Sequence, residues 1–199
     1  KIAVAAGVLG SYGYTINAES TDEAIVKDCT NITAVEAYRG GVAGVVGYIR
    51  NGVIDGCTYL NGRSDSQNNT YAGGIVCIAD DTIIRGCKAT ADLVSKPVGS
   101  LYNRCGGIAA WTRGATTVEN CQFFGNLKYT ASVKDDFCGG IVALAEDEEC
   151  VVKDCSYGGT VNGVTISENN CAEHAVGAGS MGNYPVIATV SNISYWNGK

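Results

Sequence analysis

The side chains with the clearest capacity for chemistry in this chain are acidic. They lie in pairs at Asp80 and Asp81 and at Asp135 and Asp136, and in the run 146–149. Two carboxyl groups on one face can act as acid and base on a glycosidic bond, and carboxylates can also hold calcium. The chain has no D-x-D-x-D-G loop, so calcium is only weakly indicated. Carbohydrate chemistry is therefore an alternative to weigh against a scaffold without catalysis.

Aromatic side chains supply a second candidate site. Trp111 and Trp196 are candidates for contact with a glycan, together with Tyr12, Tyr48 and Tyr102. Trp196 comes one residue after a column of aromatic residues, and strand alternation then points its ring outward. Simple packing of these rings at the edge of the fold remains the competing interpretation. A loss of glycan-array binding on Trp111→Ala would favour the glycan.

Metal chemistry has little support in the sequence. There is no C-x2-C pair, and the chain has a single histidine, His174. Cys150 and Cys155 are five residues apart but do not complete a set of four zinc ligands. We therefore expect no metal and no cofactor, and we expect His174 to be a residue of a loop or of the edge of a coil.

These residues are distributed over a repeated sequence block. GVVGYIRNGVIDGC at residues 44–57 and GIVCIADDTIIRGC at residues 74–87 are two copies of it. The anchor glycines are Gly7, Gly44, Gly74, Gly107, Gly140 and, weakly, Gly177, in steps of 37, 30, 33, 33 and 37 residues. Such a period is typical of stacked coils. The pattern predicts an all-β fold, a parallel β-helix (β-solenoid) of about six coils forming one domain over residues 1–199, with variable loops at 61–71, 96–104, 130–137 and 164–170.

Each copy has a second block whose columns have a physical interpretation. Its β-branched column predicts a buried strand position; the members are Val26, Ile54, Ile84, Val118, Val152 and Val190. Two residues later comes a column of Asp, Gly or Asn, which predicts a bend with positive φ; the members are Asp28, Gly56, Gly86, Asn120, Asp154 and Asn192. The block ends in a buried column of cysteine, replaced once by isoleucine: Cys29, Cys57, Cys87, Cys121, Cys155 and Ile193.

Two columns carry charges whose sign alternates between copies. One contains Lys27, Asp55, Arg85, Glu119 and Lys153, and the other contains Arg50, Asp80, Arg113 and Glu146. Equivalent residues of stacked parallel coils are about 4.8 Å apart. Opposite charges at that distance attract and like charges repel, so alternation favours stacking in this register. It also favours structurally paired carboxylates at Asp80 and Glu146 over a tuned catalytic acid, although a merely mixed surface charge would look similar.

The ten cysteines are predicted to be reduced and mostly buried. Stacked side chains keep their Cβ atoms about 4.8 Å apart, just beyond the usual range for a disulfide. Cys105 and Cys138 share a second column before the Gly-Gly pairs and are the least improbable bridge. Because the chain has a net charge of −6 and no basic cluster, we expect no nucleic-acid partner, and no apolar run is long enough to span a membrane.

The Gly-apolar-apolar-Gly tetrad followed by a strand ending in Asn-Cys or Gly-Cys resembles the GLUG-motif repeats of bacterial surface proteins. GVLG at residues 7–10 and GVVG at residues 44–47 match best, whereas later copies have Cys77, Ala110, Ala143 or Ser180 at the fourth position. The resemblance covers about residues 2–198. It implies an extracytoplasmic, adhesin-like protein without catalytic residues of its own.

Together these patterns predict a non-catalytic repeat module of a bacterial surface or secreted protein, located at the cell surface or outside the cell. It would serve as an adhesin-like stalk or a binding scaffold. A carbohydrate-active or glycan-binding β-helix is the alternative. The expected partners are a host or cell-surface glycan or protein, together with further repeats or domains of the same chain at both ends, because the chain begins and ends within repeats.

Overall fold

The computed structural model describes residues 4–12, 23–37, 40–66, 71–96, 103–129, 137–177 and 186–199. These residues form β-strands joined by turns, with no helix among them. The strands of the first two copies are β1 Val4–Ala6, β2 Leu9–Tyr12, β3 Ala24–Lys27, β4 Thr30–Asn31, β5 Val35–Ala37, β6 Gly41–Ala43, β7 Val46–Asp55 and β8 Thr58–Ser66. The third and fourth copies form β9 Tyr71–Gly73, β10 Val76–Arg85, β11 Lys88–Ser95, β12 Arg104–Gly106, β13 Ala109–Arg113, β14 Thr117–Glu119 and β15 Gln122–Tyr129. The last two form β16 Phe137–Gly139, β17 Val142–Ala145, β18 Val151–Lys153, β19 Ser156–Val161, β20 Val164–Thr165, β21 Thr189–Ser191 and β22 Ser194–Tyr195.

The strands stack in three sheets that run along the solenoid. Sheet A has the order β1-β6-β9-β12-β16, and sheet C contains β8, β11, β15 and β19. In sheet B the long strand β7 pairs with both β2 and β3, and the long strand β10 pairs with both β13 and β14. Among the strands of the described residues, every pairing between copies is parallel, and the one antiparallel pair, β19 with β20, lies within a single copy. The prediction of a parallel β-solenoid is confirmed.

The number of turns is smaller than the prediction of about six. The structure forms about four turns. The long strands belong to the middle copies, whereas β21 has 3 residues and β22 has 2. The predicted loop at 61–71 also starts later than expected, because β8 continues to Ser66 in sheet C.

The β-branched column aligns as the sequence predicts. Val26 pairs with Ile54, Ile54 with Ile84, and Ile84 with Val118, and the register continues through Val152 to Val190. Ile54, Ile84 and Val118 are 0% exposed. The bend column is confirmed as well, because each of its members has a positive φ: Asp28, Gly56, Gly86, Asn120, Asp154 and Asn192, between 51° and 63°.

In the second, fourth and fifth copies the anchor glycine is required because an aromatic ring of the same copy packs against it, whereas Gly74 meets the carbonyl oxygen of Gly107 and the side chain of Ala89. A Cβ atom on Gly107 would lie 2.1 Å from the carbonyl oxygen of Gly140 and 2.4 Å from the ring of Phe123. Gly44 and Gly140 meet Tyr59 and Tyr157 in the same way. The glycine column and the aromatic column are therefore complementary halves of one packing arrangement.

In the sixth copy the structure places the anchor elsewhere than Gly177. Val142 pairs with Val176, and the backbone N–H of Ile141 donates to the carbonyl of Ala175 at 2.9 Å. This register puts His174 at the anchor position and Gly177 three residues further along. The sequence alignment missed this because a histidine interrupts the glycine column at the end of the array.

The four middle members of the cysteine column lie in the interior, as predicted, whereas Cys29 and Ile193 at its two ends are only partly buried. Cys57, Cys87, Cys121 and Cys155 are at most 1% exposed, and all ten cysteines are free thiols. The Sγ atom of each of these four residues has two carbonyl acceptors within reach, one two residues earlier in its own copy at 3.1–3.5 Å and one on the preceding copy at 3.4–3.7 Å. Cys105 and Cys138 are register partners but are not bonded to each other.

Cross-copy ion pairs hold the first charge column. Arg85 Nη2 lies 3.0 Å from Asp55 Oδ2, and Lys153 Nζ lies 3.0 Å from Glu119 Oε2. The partner carboxylates raise the pKa of both Arg85 and Lys153. Within the described ranges, no helix is long and apolar enough to cross a membrane.

Candidate functional site

A cluster of charged and aromatic side chains lies outside the solenoid interior, where the outer faces of sheets A and B meet. Sheet A contributes a column in which Tyr71, Arg104 and Phe137 are in register. Sheet B contributes two columns, one through Tyr48 and Trp111 and one through the second charge ladder. We define the arginine–aromatic cluster as Tyr48, Arg50, Tyr71, Asp80, Arg104, Trp111, Arg113 and Glu146.

Arg104 is the innermost charge of this cluster. Its Cζ atom lies 4.0 Å from the ring centroid of Trp111 and 4.6 Å from that of Tyr71. Both distances are within the range of cation–π attraction. The residue is only 8% exposed, and burial lowers the pKa of its guanidinium, with Tyr71 and Glu146 partly opposing that shift. The two rings therefore act as the walls that hold a desolvated cation.

Asp80 is the acidic centre of the cluster. Its Oδ2 atom lies 2.7 Å from Arg113 Nη2 and 4.0 Å from Arg50 Nε, and the hydroxyl of Tyr48 donates to it at 3.4 Å. The Asp80 side chain is 15% exposed, whereas those of Arg50 and Arg113 are 41% and 32% exposed. The two arginines therefore form an accessible rim around a shielded carboxylate, and the predicted charge ladder is present here.

Trp111 has contacts on several sides. Its indole Nε1 donates to Glu146 Oε2 at 3.1 Å, and the Cζ of Arg113 lies 4.9 Å from its ring centroid. With Arg104 and Tyr71 also against it, the indole is a half-buried support for two arginines. Stacking of a sugar on the indole face would compete with these contacts, so the edge of the ring and the arginine rim are the better-placed groups.

Trp196 takes part in a separate set of contacts on sheet C. Its ring lies 6.1 Å from Phe124 in an edge-on arrangement and 4.7 Å from Lys88 Nζ. Its Nε1 donates to the carbonyl of Lys199 at 2.9 Å. The structure thus does not combine Trp196 with Trp111 in one site. Tyr12 is the last residue of β2, where it pairs with Ile49, and Tyr102 lies outside the described residues.

Two further acidic candidates, Asp81 and Asp147, have structural contacts. Asp81 Oδ1 accepts from the backbone N–H of Ala115 at 3.1 Å, and Asp147 Oδ2 accepts from that of Gly114 at 2.7 Å. Both carboxylates therefore fix the turn between β13 and β14. Asp135 and Asp136 lie outside the described residues. Across the part of the chain that the structure describes, no group of three or more His, Cys, Asp or Glu side chains could hold a metal ion.

Sequence reasoning found six members of the cluster but missed Tyr71 and Arg104. Both residues stand three positions before an anchor glycine, in the same column as Phe137. That column changes from aromatic to cation and back, so it has no repeated chemistry to recognise. Only the meeting of sheets A and B shows that these side chains lie beside Trp111.

The fold and its repeated columns define the protein as a parallel β-solenoid built from sequence repeats. The family model of the GLUG motif matches residues 68–94, which lie in the third copy. This match confirms the resemblance on which the family prediction was based. A search of curated proteins found no sequence that matches the chain.

Proposed function

We propose that this chain is a non-catalytic repeat module of a bacterial surface or secreted protein, and that it serves as a binding scaffold or an adhesin-like stalk. The GLUG motif and the parallel solenoid support a repeat module. The single observation that supports a role without catalysis is that these carboxylates already have structural partners. Asp80 is paired with Arg113, Glu146 accepts from an indole, and Asp81 and Asp147 fix a turn.

The free thiols bear on the proposed location at the cell surface or outside the cell. Oxidising compartments normally convert cysteine pairs to disulfides. Here eight of the ten cysteines are buried, and the main column consists of parallel side chains one coil apart. Burial and this geometry protect the thiols, so a reduced column is compatible with an extracytoplasmic location. Protease accessibility of the chain on intact cells tests the proposal, and a chain found only in the cytosol would contradict it.

Turnover assays test the catalytic alternative. The purified chain is incubated with acidic and neutral polysaccharides, and the release of new reducing ends or unsaturated products is measured. We expect none. Turnover that is lost in Asp80→Asn or Glu146→Gln and retained in Asp55→Asn, a carboxylate of the other charge ladder, would establish an enzyme instead.

Binding without catalysis is supported by the arginine–aromatic cluster. It is the place where cations, rings and carboxylates from four copies converge, and its rim arginines are partly exposed. The partner that we propose for the scaffold is a glycan or protein of a cell surface, with further repeats of the same chain stacked on the two ends. Sequencing of the flanking coding region tests the latter directly.

A further inference from the structure

We propose that the arginine–aromatic cluster is a binding site for the carboxylate groups of an acidic glycan. This inference rests on the proposed binding function and names its ligand class. It starts from an imbalance of hydrogen bonds in the cluster. Among the described residues, the buried side-chain nitrogens and oxygens without a hydrogen-bond partner are Arg50 Nε, Arg104 Nε, Arg104 Nη1 and Arg113 Nε.

All four of these atoms are guanidinium donors, and all belong to one cluster. Buried polar groups in folded proteins are almost always hydrogen-bonded, and an unpaired donor costs free energy. Arg50 and Arg113 flank the same carboxylate, and Arg113 and Arg104 contact the same indole. Their unmet donors therefore converge on one region of the surface and are not scattered over the molecule.

The charge of the cluster points to an anion. Three arginines face two carboxylates, Asp80 and Glu146, which leaves one positive charge uncompensated on a chain with a net charge of −6. Among the described groups, no carboxylate lies within ion-pair distance of Arg104, unlike Arg50 and Arg113, and Arg104 is also the most buried of the three. An anion at the rim would compensate this charge where desolvation makes the attraction strongest.

Carboxylates suit this site because guanidinium groups recognise planar oxyanions through charge-assisted hydrogen bonds. The partly exposed Arg50 and Arg113 would make first contact, and Arg104 would act from beneath through its charge and its unmet donors. Since its Nε and Nη1 atoms have no solvent-accessible surface, a direct bond to Arg104 requires a small movement of the rim.

A glycan fits the cluster better than an acidic peptide does. Asp80 and Glu146 would repel the closely spaced carboxylates of a polyacidic peptide, whereas sugar hydroxyls can donate hydrogen bonds to them. The edge of the half-buried Trp111 provides a ring that a sugar can contact, whereas Tyr48 and Tyr71, which are 7% and 8% exposed, line the site from beneath. A uronic acid presents one carboxylate beside several hydroxyls, and this combination matches the mixed charges of the site.

The test uses the whole chain and three polymers: polygalacturonate, its methyl ester, and polyglutamate. Binding is followed by titration calorimetry at physiological salt. We expect saturable binding of polygalacturonate only, weakened about tenfold in Arg50→Gln and in Arg113→Gln. Arg85→Gln is the matched control, because Arg85 is an exposed arginine of the other charge ladder of sheet B, and it should change affinity less than about twofold.

Three results would overturn the proposal. One is the absence of saturable binding to polygalacturonate, the second is an equal loss in Arg50→Gln and Arg85→Gln, and the third is tighter binding of polyglutamate, which would assign the site to an acidic protein. Arg104→Met adds a test of the inner charge, and the two rim variants remain decisive if it fails to fold. A failure to bind polygalacturonate would leave the proposal of a non-catalytic scaffold intact. Turnover of polygalacturonate would contradict the non-catalytic scaffold but would be consistent with an acidic-glycan site at the cluster.

Discussion

Neighbouring residues of β10 face two different environments. Ala79 and Ile84 belong to the interior, where the register partners of Ile84 are the β-branched Ile54 and Val118. Ile78 and Asp80 lie on the other face of the strand, where Ile78 is buried in a separate cluster. The register partners of Ile78 are a tyrosine and a tryptophan, and those of Asp80 are arginines. The interior is repetitive because each copy must fit the next one. The outer cluster is free of that constraint, so its chemistry differs from copy to copy and can serve recognition.

The largest effect should come from placing charge in the interior. Cys121→Asp puts an unpaired carboxylate into a column that is 0% exposed, and we expect it to reduce the free energy of unfolding by more than about 4 kcal/mol. Cys121→Val keeps an apolar side chain, as Ile193 does naturally, and should cost less than about 1.5 kcal/mol. Denaturant unfolding measures both, and equal tolerance of the two changes would show that the column is not a sealed interior.

A single methyl group should also be costly in the interior. In Gly107→Ala the new Cβ atom would lie 2.1 Å from a backbone oxygen and 2.4 Å from the Phe123 ring, so the coils must move apart. We expect a loss of about 3 kcal/mol, read from the shift of the denaturant midpoint. The control is Gly10→Ala, because nothing lies within 4 Å of the Cβ position there. A similar midpoint for both variants would argue against ring-on-glycine packing.

The stability of the protein should fall at high pH because its buried thiols resist ionisation. Burial raises the pKa of the Cys77 and Cys121 thiols, while the unfolded chain ionises near pH 8.5. The unfolded state then binds fewer protons, so stability should fall above that pH by about 1.4 kcal/mol per pH unit for each such thiol. Unfolding under reducing conditions between pH 8 and 10 measures the slope, which Cys77→Ala should make shallower. A slope that is flat over this range would mean that the thiols are not desolvated.

The smallest effect should be found in the outer ladder. Asp55 and Arg85 form an exposed pair, whose coupling in a double-mutant cycle of Asp55→Asn and Arg85→Gln should be below about 1 kcal/mol. The thermal stability of the single variants should depend on salt concentration more weakly than that of the parent protein. A coupling of several kcal/mol would contradict this prediction, because it would show that a surface ion pair stabilises the fold as strongly as interior packing does.

The interior was the part of the fold that could be predicted from the sequence. The column from Val26 to Val190 and the positive-φ column from Asp28 to Asn192 occur in the structure as aligned, because stacking requires the same residue type at each level. The prediction was wrong in the sixth copy, where stacking no longer demands the same residue type. There His174 replaces the expected glycine, and the terminal copies add only short strands.

The candidate site was predicted only in part. The alternation of Arg50, Asp80 and Arg113 indicated their pairing in advance, since like charges at that spacing would repel. Tyr71 and Arg104 could not be assigned to Trp111, because their contact depends on the angle at which sheets A and B meet. A column read along the chain carries no information about that angle.

The sulfur hydrogen bonds of the interior give the array a direction. Each thiol reaches one carbonyl oxygen of its own copy and one of the copy that is synthesised earlier, and the latter belongs to Val26 for Cys57, Ile54 for Cys87 and Ile84 for Cys121. A nascent chain can thus complete each level against one that has already left the ribosome. Truncation from the carboxyl end leaves every surviving thiol its acceptor on the earlier copy, whereas truncation from the amino end deprives the first surviving copy of it.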